Sequence, residues 1–510
     1  MKILCVNPPS LSIGSRMAGE HLPPLGLLAI AGPLIDAGHE VKLLDADIDN
    51  MKPDRIAAEI TDRNPEIILL GHSGSTSSQP FIEEITRLVK ERRPAIKTII
   101  GGVFPTFHWR EILTQNPQID YVVCGEGEAI CLNLITAIEH GQPLAEVLGI
   151  AFRSNGQPVS TPSAPLIEDL DDYRVAWELM ESYDYTTWGK YRGAVVQFSR
   201  GCPYSCVYCG QTLFWRKWRH RHPQRFADEL AMLYHKYGVR VVNFADENIA
   251  PNPKVWRELL DALIDKKMDM MMFGAIRADH IVRDADILPL YKKAGFTRLL
   301  VGIEHSDKSV LKRINKQGDV NKDREAIRLL RKNDILMSAT FLIAFGDETL
   351  GGFYRLWRTL LSYDADLVQF CFATPHRWTP FYQEVRKNKI ILTDLRLWDY
   401  RHQILANKTL PAWLVCLCVK FIEITVHARP KSLFRLFFLR DKKKRLAMRW
   451  YVQIGRRSWF VELFQFFFVT KLSKQNITTE EFFGDRQAPP ISEDSEKTDG
   501  RSFSEITVDA

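Results

Sequence analysis

The sequence predicts an α/β protein in three parts: a doubly wound, flavodoxin-like domain, a partial (β/α)6 barrel and an α-rich C-terminal region. Three observations carry this reading. Two stretches alternate short apolar runs of strand length with amphipathic segments of helical period, the pattern of parallel sheets covered on both faces. A Pro-, Ser- and Asp-rich connector separates the stretches, and beyond the second the strand signal fades into helical, aromatic and basic sequence. At 510 residues the chain also exceeds one ordinary core, for which about 100–200 residues is the usual size.

In the first stretch, residues 3–6, 41–44, 67–70, 98–100 and 121–123 read as strands, and 27–37, 53–63, 81–92 and 109–114 as helices ended by Gly, Pro or Asn. They form a domain over 1–141 whose ligand crevice is expected beyond the strand C-termini. Residues 142–190 read as a linker with a hairpin at Asn155-Gly156, a pair suited to a tight turn. The barrel over 191–391 has strands at 194–199, 241–245, 270–275, 299–303, 339–345 and 367–372, and its chemistry is expected at their C-terminal ends. Residues 392–485 are expected to be helical. Residues 486–510, rich in Ser, Asp, Glu and Pro, bury too little surface to offset ordering entropy and are expected to be a disordered tail.

An apolar fraction of 45% with 25% charged residues belongs to a folded soluble protein. The net charge of +6 is small and its basic excess lies toward the C-terminus, which speaks against nucleic acid as partner. Nine cysteines, three of them tightly clustered, favour a reducing compartment and metal or redox chemistry over a disulfide framework, so a cytoplasmic enzyme is expected. The apolar run ended by Pro8 is too brief for a signal peptide, and the run at 411–419 is far shorter than the roughly 20 residues of a membrane span.

After the first barrel strand comes Arg200-Gly201-Cys202-Pro203-Tyr204-Ser205-Cys206-Val207-Tyr208-Cys209. Soft thiolates select zinc or iron-sulfur clusters. An electron-transfer cubane is normally closed by four cysteines, so three leave one iron open; a structural zinc knuckle or three packed thiols is the alternative. The triplet and its place after a strand resemble the radical S-adenosylmethionine superfamily. That resemblance implies a 4Fe-4S cluster on Cys202, Cys206 and Cys209, S-adenosylmethionine at the open iron, and homolysis to a 5'-deoxyadenosyl radical. It gives Tyr208 the aromatic position before the last cysteine. Glu304, followed by Ser306, falls at the ribose-binding strand end, and Ile343, within 342–348, at the adenine-contact strand. Residues 375–380 match the sixth-strand turn. Asp246 and Glu247 stand where the family often has Gly-Gly-Glu for the methionine amino group; the glycines are missing here, and a helix-capping carboxylate is the other reading. Arg277 and Asp279 either meet a carboxylate or pair as a surface bridge.

The first domain has no GxGxxG after its first strand and no GxxxxGK[ST], so it lacks the phosphate-binding backbone of dinucleotide and P-loop folds. Its strand ends instead carry Ser73 and Ser75, then Gly101 and Gly102, then Gly125-Glu126-Gly127, small residues that let a broad ligand approach the backbone. This resembles the cobalamin-binding domain that precedes many radical S-adenosylmethionine proteins. The DxHxxG motif that supplies a histidine to cobalt is absent, so cobalamin without a protein histidine ligand is expected, and His39, His72 and His108 read as ordinary histidines. A degenerate fold that binds nothing is the alternative.

In the last region, residues 429–445 mix aromatic and cationic side chains, which suits contact with a lipid surface or an amphipathic ligand, or a packed face with solvated charges. Residues 446–459 resemble the tail of the anaerobic magnesium-protoporphyrin IX monomethyl ester oxidative cyclases, and the resemblance extends to about Gly484. It implies a small-molecule substrate, a magnesium porphyrin; oxygenation from water with closure of a fifth ring; and an electron donor such as ferredoxin or flavodoxin. The C-terminal helices are expected to close over the barrel mouth with aromatic and basic side chains. A cobalamin-dependent methyltransferase is the runner-up, and a cluster- or cobalamin-bearing sensor is the non-enzymatic reading. Cys371, Cys416 and Cys418 read as buried strand or helix cysteines.

Overall fold

The computed structural model describes residues 1–9, 21–72, 76–188 and 191–484. Ser73, Ser75, the side chain of His72 and the expected tail at 486–510 lie outside this description. Five parallel strands, β1 (Lys2–Asn7), β2 (Glu40–Asp45), β3 (Ile67–His72), β4 (Lys97–Gly102) and β5 (Tyr121–Val123), run in the order β2-β1-β3-β4-β5. Alternating side chains feed two cores: Ile3 and Cys5 meet Leu27 and Leu28 on one face, and Leu4 and Val6 meet Ile56 and Ile82 on the other. Burial on both faces is why the inner strands are apolar at their centres, whereas the edge strand β2 turns Lys42 to solvent. The order reverses between β1 and β3, which opens the crevice at their C-terminal ends.

The hairpin forms as β6 (Ile150–Ser154) and β7 (Gln157–Ser160), with Asn155 and Gly156 at φ +49° and +76°, the left-handed pair that a tight hairpin turn needs. It is not a free connector. β6 pairs antiparallel with β5 and extends the first sheet to seven strands. The rest of the linker is pinned to the same domain: the Tyr185 hydroxyl donates to Asp45 at 2.7 Å and the Tyr183 hydroxyl to the Leu43 carbonyl at 3.0 Å.

The second sheet begins with β8 (Thr186–Thr187), antiparallel to β9 (Tyr191–Val196). A short ribbon of β10 (Ser199–Arg200) and β11 (Arg219–His220) follows. Then come β12 (Val241–Phe244), β13 (Met271–Ile276), β14 (Phe296–Glu304), β15 (Leu336–Ile343) and β16 (Leu367–Phe372). The order β16-β15-β14-β13-β12-β9-β8 leaves β16 and β8 as edges, so the six parallel strands make a half-barrel. The helix Ala412–His427 covers the open edge, where the Val368 amide donates to His427 Nε2 at 3.2 Å.

The helix Lys442–Phe464 corrects one expectation. Its Ala447 and Met448 pack against Val241, Met271 and Leu336, the opening residues of three strands, and Tyr451 lies edge-on to Trp188. The segment at 446–459 therefore seals the barrel floor, not its mouth. The mouth is roofed by Phe381, Trp398, Leu405 and Phe483, which share a core with Val207 and Tyr208.

Candidate functional site

The cysteine loop leaves β10 at Gly201, whose φ is +88° and whose added Cβ would lie 2.5 Å from the Lys217 carbonyl, so only glycine fits. Segments that follow the later barrel strands then hold the loop in place. The Val207 amide donates to the Ile314 carbonyl at 3.1 Å, the Phe381 amide to the Val207 carbonyl at 3.0 Å, and Trp378 Nε1 to the Gly210 carbonyl at 2.9 Å. The Cys209 amide turns back to the Cys206 carbonyl at 3.1 Å. All three thiols are half-buried and free of disulfides. Cys202 is pushed up to about 12, chiefly by burial, with Cys209 and Cys206 nearby adding to the rise against a bond from the Tyr204 backbone. Burial likewise raises Cys206, against the pull of Lys316. Three mutually close soft donors fit an iron-sulfur cluster, since metal ligation removes the thiol proton outright. Among the described residues no three Cys, His, Asp or Glu side chains converge as one ion requires, and a cluster spreads its ligands over several irons.

Around this loop lie the other strand ends. Tyr208 is packed in the roof, its phenol pushed well above the usual range by burial and by the Glu304 carboxylate. Glu304 ends β14 with φ +66°, is 8% exposed and stands 3.5 Å from Lys316. Ser306 is half-buried just beyond it. The Ile343 side chain is core, and its carbonyl accepts the Ala373 amide at 2.8 Å. Glu247 accepts from the Gly201 amide at 3.3 Å, and burial pushes its carboxyl up to about 7.

Two sequence readings change here. Asp246 accepts from the Phe198 and Ser199 amides at 3.0 and 2.6 Å and from Ser199 Oγ at 2.6 Å. These bonds tie the segment just past β9 to the one just past β12, so the carboxylate is already engaged between two strand ends. Arg277 and Asp279 do pair, at 2.9 Å, but in the interior: Arg277 lies over the Tyr204 ring at 3.7 Å and donates to the Gln317 carbonyl at 2.6 Å. Asn248, one residue past Glu247, was missed by sequence reasoning. It is 1% exposed, and neither amide atom has a partner among the described residues, which marks a place for a polar ligand. An asparagine in a loop gives no sequence signal of this kind.

On the facing edge of the first sheet, Gly102 and Gly125 both have φ +112°, a conformation closed to ordinary side chains. Thr106 Oγ1 links them, donating to the Gly102 carbonyl at 2.8 Å and accepting from the Gly125 amide at 3.0 Å. Gly101 and Gly127 have other reasons. A Cβ on Gly101 would lie 3.3 Å from Val123, and one on Gly127 would lie 2.9 Å from Ile30, so these two glycines serve strand and helix packing. Glu126 is also spent elsewhere, accepting from Arg200 and Arg219, each at 2.8 Å, and from the Ile167 amide at 2.8 Å. Burial pushes its carboxyl up, but the Arg219 and Arg200 guanidiniums more than offset this and hold it below the usual range. Of the histidines, His39 pairs with the chain's first amine at 3.2 Å, and His108 bonds the Phe104 carbonyl at 3.0 Å.

Arg200 also pairs with Glu128, so the residue two before Cys202 is clamped to the start of the helix Gly127–His140 in the other domain. Breaking such a buried pair costs about 3–5 kcal/mol. Arg200→Gln is expected to loosen the junction by that order, read as faster amide exchange at 126–128 and 202–209 together. Arg200→Lys, which keeps one contact, should fall between. Unchanged exchange in Arg200→Gln would refute the clamp.

Between the domains, a cleft of about 150 Å3 is lined by Thr76, Phe104, His108, Glu111, Arg377 and Trp378, among others. That is below the roughly 300–1,000 Å3 of ordinary ligand pockets. One side of the cleft is aromatic: Phe107 stacks on Trp378 at 5.9 Å, and His376 stacks on it at 4.7 Å. His376 also bonds Thr76 Oγ1 at 2.9 Å across the domain boundary.

A half-barrel with three thiols on its first loop, facing the glycine-bearing edge of a doubly wound domain, defines a cobalamin-dependent radical S-adenosylmethionine enzyme. Accordingly, residues 13–135 match the B12 binding domain and residues 196–356 the radical SAM superfamily. The anaerobic magnesium-protoporphyrin IX monomethyl ester cyclase of Synechocystis sp. is 46% identical over 96% of this chain and 99% of its own length. Its namesake in Rubrivivax gelatinosus is 32% identical over 78% of this chain and 72% of its own. The chain belongs to this cyclase family. Among solved structures, the cobalamin-dependent S-adenosylmethionine radical enzyme OxsB, with aqua-cobalamin and S-adenosylmethionine bound, shares the fold at TM-score 0.68 and 16% identity, covering 91% of this chain and 72% of that one.

Proposed function

We propose that this protein closes the fifth ring of magnesium-protoporphyrin IX monomethyl ester without molecular oxygen, taking the new oxygen atom from water. The observation that carries this reading is the co-extensive match to the Synechocystis cyclase, which spans both cofactor domains and the C-terminal helices together. When bound, the cofactors supply the one-electron cleavage of S-adenosylmethionine and cobalt chemistry beside it. The chain's own residues do the rest. Cys202, Cys206 and Cys209 hold the cluster; Glu304 and Ser306 take the ribose; Glu247 and Asn248 face the methionine end. Gly102 and Gly125 let the corrin approach the backbone. A ferredoxin or flavodoxin is the electron donor that fits a low-potential cluster.

The test is an anaerobic reaction of the full chain with the porphyrin ester, S-adenosylmethionine, cobalamin and a reductant, followed by product mass. A fifth-ring product is expected. A product heavier by one methyl group drawn from S-adenosylmethionine would establish the methyltransferase instead, and cofactor retention with no cleavage of S-adenosylmethionine would establish a sensor.

A further inference from the structure

Three C-terminal helices carry apolar stripes that nothing in the chain's described residues covers. On the helix Ala412–His427, Trp413, Leu417, Phe421 and Ile424 are exposed at helical spacing. On Pro430–Phe438 the exposed residues are Phe434, Phe437 and Phe438. On Lys442–Phe464 and the turn that follows it they are Phe460, Phe464 and Phe468, with Phe460 at 73% and Phe468 at 77% exposure. The helices adjoin: the Arg449 guanidinium lies over Phe437 at 5.8 Å, and Trp459 meets His427 at 5.5 Å. An apolar surface of this extent on a folded protein marks an interaction site.

The charge around it selects the partner. Residues 429–474 contain thirteen Lys and Arg but two acids, Asp441 and Glu462. Both acids are engaged, Asp441 by Lys292 at 2.6 Å and Glu462 by Lys420 and Arg401. Lys431, Arg440, Lys442, Arg456 and Arg457 are exposed and have no ion-pair partner among the described residues. Exposed phenylalanines rimmed by unpaired cations match the boundary between acyl chains and anionic headgroups. A second copy on the same face would set this basic rim against itself, which like-charge repulsion opposes. No helix among the described residues is long and apolar enough to cross a membrane, so the contact lies on the bilayer and does not span it.

We propose that this face docks the enzyme on an anionic lipid bilayer, the phenylalanines entering the headgroup boundary and the lysines and arginines meeting lipid phosphates. The face belongs to the helices that seal the barrel floor and its open edge. Docking therefore leaves the cysteine loop and the interdomain cleft free.

The test is co-sedimentation of the full chain with phosphatidylcholine vesicles, with and without phosphatidylglycerol. Binding is expected to be about tenfold or more tighter with phosphatidylglycerol, since each basic residue near an anionic surface contributes, and to fall as salt is raised. Phe438→Ser with Phe468→Ser should lose most binding to both vesicles. Arg456→Glu with Arg457→Glu should lose only the anionic preference. Both variants should cleave S-adenosylmethionine at the normal rate, which shows that they are folded. Equal binding to both vesicles, no binding, or a concentration-dependent dimer abolished by the phenylalanine substitutions would overturn the proposal.

Discussion

Anaerobically reconstituted Cys202→Ala, Cys206→Ala or Cys209→Ala protein is expected to lack the 4Fe-4S cluster and to release no 5'-deoxyadenosine. Each thiolate is one of three, so removing any one leaves two iron corners without protein ligands and the cubane unsupported. The loop itself should survive. Its position comes from backbone bonds to Ile314 and Phe381 and from the Trp378 bond to Gly210, none of which uses a sulfur. The variants should therefore keep normal circular dichroism and still take up cobalamin. Cys371→Ala and Cys416→Ala provide the contrast: burial pushes their thiols up to about 12 and about 11, they lie in β16 and the helix Ala412–His427, and the cluster should remain. Iron and sulfide analysis with chromatography of the deoxyadenosine decides it. A zinc-loaded wild type that cleaves no S-adenosylmethionine would replace the cluster with a structural knuckle.

The second large effect is expected from Gly102→Val. Valine at φ +112° costs about 1–3 kcal/mol of backbone strain. The loop relieves that strain only by turning away from the sheet edge, while the new side chain fills the crevice. Cobalamin retention should fall by about tenfold or more, the change that about 1.4 kcal/mol produces, with the cluster and S-adenosylmethionine cleavage preserved. The bound cobalamin of the wild type should show no protein-nitrogen ligation, and His108→Ala should leave its spectrum unchanged. Full cobalamin occupancy in Gly102→Val would remove this edge from the site.

The parallel strands were legible because burial writes itself as short apolar runs, interrupted only where an edge strand meets solvent, as β2 does at Lys42. The sequence reading placed β1 to β5 within a residue or two of their observed ends. The cysteine triplet was legible because its spacing is rare. What could not be read was the use of polar groups across long separations. Glu126 looked like part of a glycine-rich cofactor turn, and only the arrival of Arg200 and Arg219, 74 and 93 residues later, makes it a domain clamp. Asp246 stands where the family often has Gly-Gly-Glu for the methionine amino group, yet Ser199, 47 residues earlier in β10, already bonds its carboxylate. The segment at 446–459 carries aromatic and basic residues that suit a porphyrin pocket and equally suit a barrel floor. Residue type does not distinguish the two, whereas contact with the first residues of β12, β13 and β15 does.

The central claim is oxygen-independent ring closure, and the most direct measurement is anaerobic turnover of the magnesium porphyrin ester in 18O-labelled water, read by mass spectrometry of the product. The expected result is a fifth-ring product carrying one 18O atom, formed only with S-adenosylmethionine and reductant and absent in Cys206→Ala. An unlabelled product, or a methylated porphyrin without the new ring, would contradict it.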